Sequence, residues 1–307
     1  LDDTSVLMSL IKAYGSPLYV YDADRIKDQW NQFMTAFSGV DLHIKYAMKA
    51  LSNHHVLVYL RELGAGLDTV SVNEIRLGLQ AGFSPDSIVY TPNCVTFEEM
   101  KEAVELGVTV NVENLSLLKQ FGKTYGSDVP CFLRLQPNII DEQDAAADQV
   151  WQNQSKFGIT LSQLMEACAV VEKYNIQIEG LHIHSSSQVL NTDRFLRGAE
   201  ILFDLAHAHF PNLKVLDFGG GIRVPHQDQE ATICLADLGR VFVDRLHRFF
   251  DAYGRSLQLW FEPGRFLVSD CGQLLVTATT VKSNGSVDIV GVNSGFNHFI
   301  RPKLYGA

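Results

Sequence analysis

The chain has 307 residues, a formal net charge of −10 and 46% hydrophobic residues. This composition is typical of a folded globular protein and excludes a collagen-like, coiled-coil or disordered chain. The acidic balance, without any run of lysine or arginine, argues against nucleic acid and anionic membranes as partners. No apolar stretch reaches the ~18 residues of a membrane span, and the first residues are unlike a signal peptide. The five widely spaced cysteines form no CxxC pair, which predicts free thiols, no metal site and a cytoplasmic protein.

The predicted elements alternate along the chain. An amphipathic helix is predicted at residues 24–37, and short apolar runs then alternate with longer segments of helical periodicity. The strands are predicted at residues 43–49, 65–69, 88–92, 109–112, 130–135, 179–184, 214–218 and 258–262. The helices between them are predicted at 54–63, 72–81, 97–106, 115–125, 161–174, 193–209 and 235–253. This alternation predicts the α/β class and a (β/α)8 TIM-like barrel, with a doubly wound open sheet as the alternative.

Capping patterns support two of the helix starts, because Ser71 precedes Glu74 and Thr96 precedes Glu99 by three residues. After Glu262 the alternation of strands and helices ends, and no further barrel helix is predicted. Residues 266–282 have a strand pattern, and Asn-Gly at 284–285 indicates a hairpin between 277–282 and 287–293.

The end of this alternation after Glu262 indicates where the first domain ends. We expect a barrel domain at residues 22–264. Residues 17–21 are predicted as a strand, and residues 1–21 with 265–307 are expected to form part of a second, β-rich domain. That domain has few strands, so it is expected to be incomplete at its C-terminal end.

A barrel carries its working residues at the C-terminal ends of its strands. Lys49 ends the first predicted strand inside the apolar run Tyr46-Ala47-Met48-Lys49-Ala50, and Asp68 lies at the end of the second. Partial desolvation would lower the pKa of Lys49 and make its amine nucleophilic enough for a Schiff base. The alternatives are that Lys49 is a snorkelling lysine at the rim, or that Lys45 on the same strand is the reactive one.

Two further strand ends carry an imidazole and a glycine run. Gly219-Gly220-Gly221 would let backbone N–H groups approach a phosphate, although a tight turn explains the same run. His184 could stack on a planar ring or transfer protons, and the alternative is a hydrogen-bonded buried histidine. His182 lies two residues away on the same strand face, so the register stays open.

Glu262 ends the last predicted strand, before Pro263-Gly264-Arg265. It could pair with Arg265, or it could face a heterocyclic nitrogen and keep a pyridine ring protonated. A Schiff-base lysine, a phosphate loop, a stacking imidazole and a carboxylate for a ring nitrogen together describe a site for pyridoxal 5′-phosphate (PLP).

On these motifs the chain resembles the fold-type III PLP-dependent decarboxylases of the alanine racemase-like group, and among them the diaminopimelate decarboxylases. The resemblance extends over essentially the whole chain. Besides the motifs above it is carried by Leu67-Asp68-Thr69-Val70-Ser71 with Glu74, Ser155-Lys156-Phe157-Gly158-Ile159, His182-Ile183-His184 with Ser187-Gln188, and Arg301-Pro302-Lys303-Leu304-Tyr305.

The resemblance implies roles for individual residues. Lys49 would hold PLP as a Schiff base, His184 would stack on the ring, Glu262 would pair with the pyridine nitrogen and Asp68 would lie near the lysine. The phosphate would be bound with the help of Ser187, Gly220, Gly221 and Gly264. The substrate carboxylates would be bound by Arg265, Arg301 and Tyr305.

The implied reaction is the decarboxylation of meso-diaminopimelate to L-lysine. Arg301 beside Tyr305 suits a distal carboxylate, whereas a basic substrate would call for an acidic residue there. The resemblance also implies a homodimer with sites shared between two subunits.

Two departures from the family pattern bear on these expectations. Ser186 stands where the family usually has glycine, which could crowd the phosphate. The family's β domain also continues for ~100 residues further, within ordinary domain size, with a partner-supplied Cys-Glu-Ser-Gly-Asp motif and a late tyrosine. We expect weak or no activity without that part.

Other readings of the resemblance stay open. A decarboxylase for arginine, ornithine or a siderophore intermediate is one, and a non-catalytic PLP-binding homologue is another. Glu262 argues against an alanine racemase, in which an arginine faces the ring nitrogen.

Overall fold

The computed structural model describes residues 3–137, 155–184, 192–225, 233–301 and 304. The chain forms two compact units, Lys27–Val268 and, from both termini, Leu1–Ile26 with Ser269–Ala307. Among the described residues, no helix has the length and apolar character needed to cross a bilayer.

The larger unit is built around a closed ring of eight parallel strands. In chain order the strands are Leu42–Ala47, Gly66–Thr69, Ile88–Tyr90, Thr109–Val112, Cys131–Gln136, Ile178–Ile183, Val215–Asp217 and Gln258–Phe261. Each pairs with the next, the fourth with the fifth at Asn111 and Phe132, and the last returns to the first at Trp260 and His43. This closure confirms the barrel and excludes the open sheet. A two-residue strand, Ile159–Thr160, pairs in parallel with the last two residues of the fifth strand.

Helices cover the outside of this ring. They are Ala23–Ala36, His54–Glu62, Val72–Gln80, Phe97–Glu105, Leu115–Tyr125, Leu164–Tyr174, Thr192–His209, Leu235–Tyr253 and Arg265–Val268. The capping box predicted at Thr96 and Glu99 is present. At Ser71 the hydroxyl accepts from the N–H of Glu74, but the Glu74 carboxylate accepts from the N–H of Val70 instead of completing the box.

The four-residue helix Arg265–Val268 corrects the prediction of a strand there and of no helix after the last barrel strand. Phe266, Leu267 and Val268 are all buried. A short apolar run has the same appearance whether it is a buried strand or a buried helix, because periodicity needs more residues to show. The phenylalanine ring packs edge-on to Phe33 at 5.6 Å, so tertiary contact determines its conformation.

An aromatic layer fixes the last two barrel strands. Phe37 lies 4.6 Å from Phe261 and Phe218 lies 5.0 Å from Phe242, measured between ring centroids. Phe195 from the preceding helix stacks on Phe261 at 5.9 Å. Such aromatic contacts add to the burial of apolar area and hold the strand ends in place. The polar residues that follow these strands therefore start from a rigid base.

The described residues of the smaller unit include an N-terminal helix and four strands. Helix Thr4–Tyr14, which the sequence analysis did not predict, is capped by the Asp3 carboxylate. Strand Leu18–Tyr21 pairs antiparallel with Gly272–Leu275, and Ala278–Asn284 pairs with Val287–Val292. The predicted hairpin is thus present, and Gly285 in its turn has a φ of +67°, which suits glycine.

Candidate active site

Lys49 and Asp68 meet at the C-terminal end of the first two barrel strands. Lys49 was expected at a strand end, and it lies instead in a single 3-10 turn, Met48–Ala50, that follows the first strand. Its Nζ donates to Oδ2 of Asp68 at 2.5 Å. The Asp68 side chain is fully buried and that of Lys49 is 47% exposed, so the amine is held by a fixed carboxylate and still reaches open space.

The pKa of Lys49 is raised, not lowered as its apolar sequence neighbours suggested. Burial lowers the pKa of this lysine, but the charges of Asp68 and Glu262 outweigh burial. The same site raises the pKa of Asp68 to about 6, because burial and the charge of Glu262 outweigh its ion pair. The prediction of a lowered pKa for Lys49 was therefore wrong.

The rival lysine, Lys45, points to the opposite end of the barrel. Its Nζ lies 3.9 Å from the Trp260 ring centroid and donates to the carbonyl of Ser87 at 3.0 Å. Ser87 precedes the third strand, so this lysine reaches the N-terminal end. Burial lowers the pKa of Lys45 to about 8. Lys45 is thus the desolvated lysine, whereas Lys49 is the one at the mouth.

Glu262 follows the last strand directly and is 3% exposed. Its Oε2 lies 3.3 Å from Nε2 of His182, and its Oε1 lies 3.5 Å from the Thr91 hydroxyl. Burial raises the pKa of Glu262, but the interactions with His182 and Lys49 lower it by a larger amount. The pKa of Glu262 is therefore below its usual value. Arg265, the suggested ion-pair partner, begins the following helix and is exposed.

His184 and the glycine run lie against each other. The N–H of Gly220 donates to Nδ1 of His184 at 3.2 Å, so this nitrogen carries no proton. Burial lowers the pKa of His184 to about 3. A neutral imidazole suits ring stacking better than proton donation at neutral pH, which favours the first of the two roles considered above.

The glycine run needs glycine on steric grounds. A Cβ at Gly219 would lie 2.7 Å from the carbonyl of Ile183, and its φ of +64° is itself unfavourable for other residues. Gly221 has a φ of +99°. Gly264 packs against the turn that carries Lys49, since its Cβ would lie 3.0 Å from the carbonyl of Ala47.

Of the remaining predicted site residues, one belongs to the smaller unit and two fall outside the described residues. Arg301 belongs to the smaller unit and is partly buried. Ser187 and Tyr305 lie outside the described residues, as does Ser186. The described part of the site therefore consists of Lys49, Asp68, His184, the glycine run, Glu262 and Gly264.

Three buried residues of this end were not among the predicted site residues. They are His182, Asp217 and Arg134, all at most 8% exposed. In the strand register Arg134 lies beside His182, and His182 beside Asp217. Each is a polar side chain in an otherwise apolar strand, and this pattern could have identified them. Such a group is rarely buried unless it is paired with another polar group.

A parallel barrel with a lysine, two buried carboxylates and a glycine-rich loop at its C-terminal mouth is the architecture of a barrel enzyme. Residues 23–269 match the family described as pyridoxal-dependent decarboxylase, pyridoxal binding domain. The chain belongs to this family of PLP-dependent decarboxylases.

Curated relatives agree over almost the whole chain. A diaminopimelate decarboxylase from Methanothermobacter thermautotrophicus is 31% identical, covering 98% of this chain and 71% of the relative. One from Pseudomonas aeruginosa is 32% identical, covering 98% and 72%. The structure of the Helicobacter pylori diaminopimelate decarboxylase complexed with L-lysine superposes with a TM-score of 0.85 at 29% identity, covering 98% and 76%.

The residues at the mouth fit PLP. Asp68 Oδ1 is a buried polar atom without a hydrogen-bond partner among the described residues, which is unusual unless a ligand or water meets it. The glycine run has no Cβ atoms, so an anion can approach its backbone closely. The amine of Lys49 suits the aldehyde of PLP, the anionic carboxylate of Glu262 suits its pyridine nitrogen, and the neutral imidazole of His184 suits a face of its ring.

Proposed function

We propose that the chain removes one α-carboxylate of meso-diaminopimelate and forms L-lysine and CO2, with PLP bound at Lys49. The relatives named above are diaminopimelate decarboxylases, and L-lysine is bound in one solved structure. The observation that carries the proposal is the placement of Lys49, paired with Asp68, at the same barrel end as the buried anionic Glu262.

In this proposal the cofactor supplies an electron sink for the electron pair left behind when CO2 departs. The chain supplies the binding. Lys49 provides the amine for the aldehyde, and Glu262 keeps a proton on the ring nitrogen because its carboxylate stays anionic. His184 covers a face of the cofactor ring, and Asp68 holds the lysine nitrogen in position before the cofactor binds.

The phosphate is proposed to bind Gly220, Gly221 and Gly264 together with Ser187. The substrate carboxylates are proposed to bind Arg265, Arg301 and Tyr305. A guanidinium binds a carboxylate through two parallel hydrogen bonds, so arginines select a substrate with a second, distal carboxylate.

The test begins with an absorbance spectrum after addition of PLP. We expect a band near ~420 nm in the unaltered chain and its loss in Lys49→Ala, whereas Lys45→Met retains the band. In a screen of CO2 release, any turnover should be higher with meso-diaminopimelate than with ornithine, arginine or lysine, and a chain extended by the family's remaining β domain should turn it over faster. A band that persists in Lys49→Ala, or faster turnover of a basic amino acid, would contradict the proposal.

We also propose that the pyridoxal-binding domain spans residues 22–264 and that the enzyme is a cytoplasmic homodimer. The sequence arguments for free thiols and the family resemblance support this. Light scattering behind a sizing column tests the assembly, and a monomer at micromolar concentration would contradict it.

A further inference from the structure

Three buried polar side chains from adjacent strands form one cluster beneath the mouth of the barrel. His182 lies on the sixth strand, Asp217 on the seventh, and Glu262 follows the eighth. All three are at most 3% exposed, and their candidate donor and acceptor atoms lie within 4.8 Å of one another. The roles proposed so far use only Glu262, so His182 and Asp217 need an account of their own.

His182 must donate to Glu262. A carboxylate with a lowered pKa only accepts hydrogen bonds, so the proton of the 3.3 Å contact is on Nε2 of His182. The opposite nitrogen, Nδ1, is buried without a partner among the described residues. A charged imidazole would leave an N–H donor unsatisfied there, and burial lowers the pKa of His182. The imidazole is therefore neutral, and it favours the anionic form of Glu262 through its hydrogen bond, beside the charge of Lys49, and not through a charge of its own.

Asp217 and Glu262 are two carboxyl groups in one buried space, where two negative charges are unfavourable. Oδ1 of Asp217 accepts from the N–H of Gly219 at 2.9 Å, while Oδ2 has no partner among the described residues. Burial and the charge of Glu262 raise the pKa of Asp217 well above its usual value. The two carboxyl groups lie close enough to share one proton, and the raised pKa favours Asp217 as the group that holds it.

We propose that His182 and Asp217 are positioning residues, two neutral donors that hold the Glu262 carboxylate in one orientation and leave the single negative charge on it. This rests on the proposed function, in which Glu262 faces the ring nitrogen of PLP. Among the described residues, the other titratable or charged groups whose charges act on this cluster are Lys45, Lys49, Asp68, Arg134 and His184.

The first experiment measures PLP dissociation constants of the full chain by quenching of protein fluorescence. We expect His182→Leu to raise the dissociation constant about tenfold, because a hydrogen bond to a charged group is lost. His182→Gln places an amide donor in the same position and should restore binding to within about threefold. The matched control is His43→Gln, because His43 is a half-exposed histidine on the first strand whose Nε2 lies 3.0 Å from Oδ1 of Asp41.

The second experiment uses the protein without PLP and follows urea unfolding as a function of pH. A carboxyl whose pKa is raised in the folded state stabilises the fold below its unfolded pKa and loses that contribution as the pH rises through the folded value. Asp217→Asn keeps the neutral form at every pH. We expect this variant to be more stable than the unaltered chain at pH 7 and to converge with it in acid.

Several results would overturn the proposal. One is a His182→Leu protein that binds PLP as the His43→Gln control does, and another is parallel pH profiles for Asp217→Asn and the unaltered chain. If His182→Leu fails to fold, ¹⁵N chemical shifts of His182 in the unaltered chain decide, because the proposal requires a protonated Nε2 and a bare Nδ1 at neutral pH. Loss of the PLP band in Lys49→Ala separates failure of this proposal from failure of the proposed function.

Discussion

The buried lysine Lys45 should make the free energy of unfolding depend on pH, and its burial sets the magnitude of this effect. This lysine is 5% exposed, and burial lowers its pKa from 10.5 to about 8. Each pKa unit corresponds to about 1.4 kcal/mol, so charging the folded protein at this position costs about 3 kcal/mol. The unfolded chain holds the proton more tightly than the folded one. The free energy of unfolding therefore rises with pH between about 8 and 10.5.

Urea unfolding of the unaltered chain and of Lys45→Met at a series of pH values between 7 and 10 measures this effect. Methionine replaces most of the buried lysine stem without the charge. Subtracting the two curves removes the titration of all other groups, and we expect the difference to grow with pH in favour of the unaltered chain. A pH-independent difference would show that Lys45 keeps an ordinary pKa and that the burial argument is wrong.

Three further substitutions have expected outcomes. Asp68→Asn removes the carboxylate that raises the pKa of Lys49, so the pH at which the amine reacts with PLP should fall, as followed by absorbance. Gly220→Ala places a Cβ against a backbone carbonyl at the end of the last strand, so PLP affinity should drop while circular dichroism stays unchanged. Gly239→Val forces a side chain into the backbone of the helix Ala23–Ala36, and the melting temperature should fall by several degrees, at ~2–4 °C for each kcal/mol.

Much of this protein could be predicted from local sequence. Alternating strand and helix patterns identified the eight strands of the barrel to within a few residues, and the Asn-Gly pair located the hairpin of the smaller unit. These features depend on periodicity and turn chemistry, which are properties of neighbouring residues. The same local reasoning placed Lys49, His184 and Glu262 beside strand ends, where a parallel barrel collects its functional groups.

Charge states depended on contacts between distant residues. The sequence around Lys49 indicated a lowered pKa, yet Asp68 from the next strand reverses the direction, and Lys45 is the lysine with the lowered pKa. His182, two residues from the motif histidine, became significant only when Glu262 was found beside it, 80 positions along the chain. Electrostatic interactions depend on distance in space and on burial, which the order of residues does not encode locally. The sequence by itself determined which groups reach the mouth of the barrel, and the tertiary structure decided which of them carry a charge.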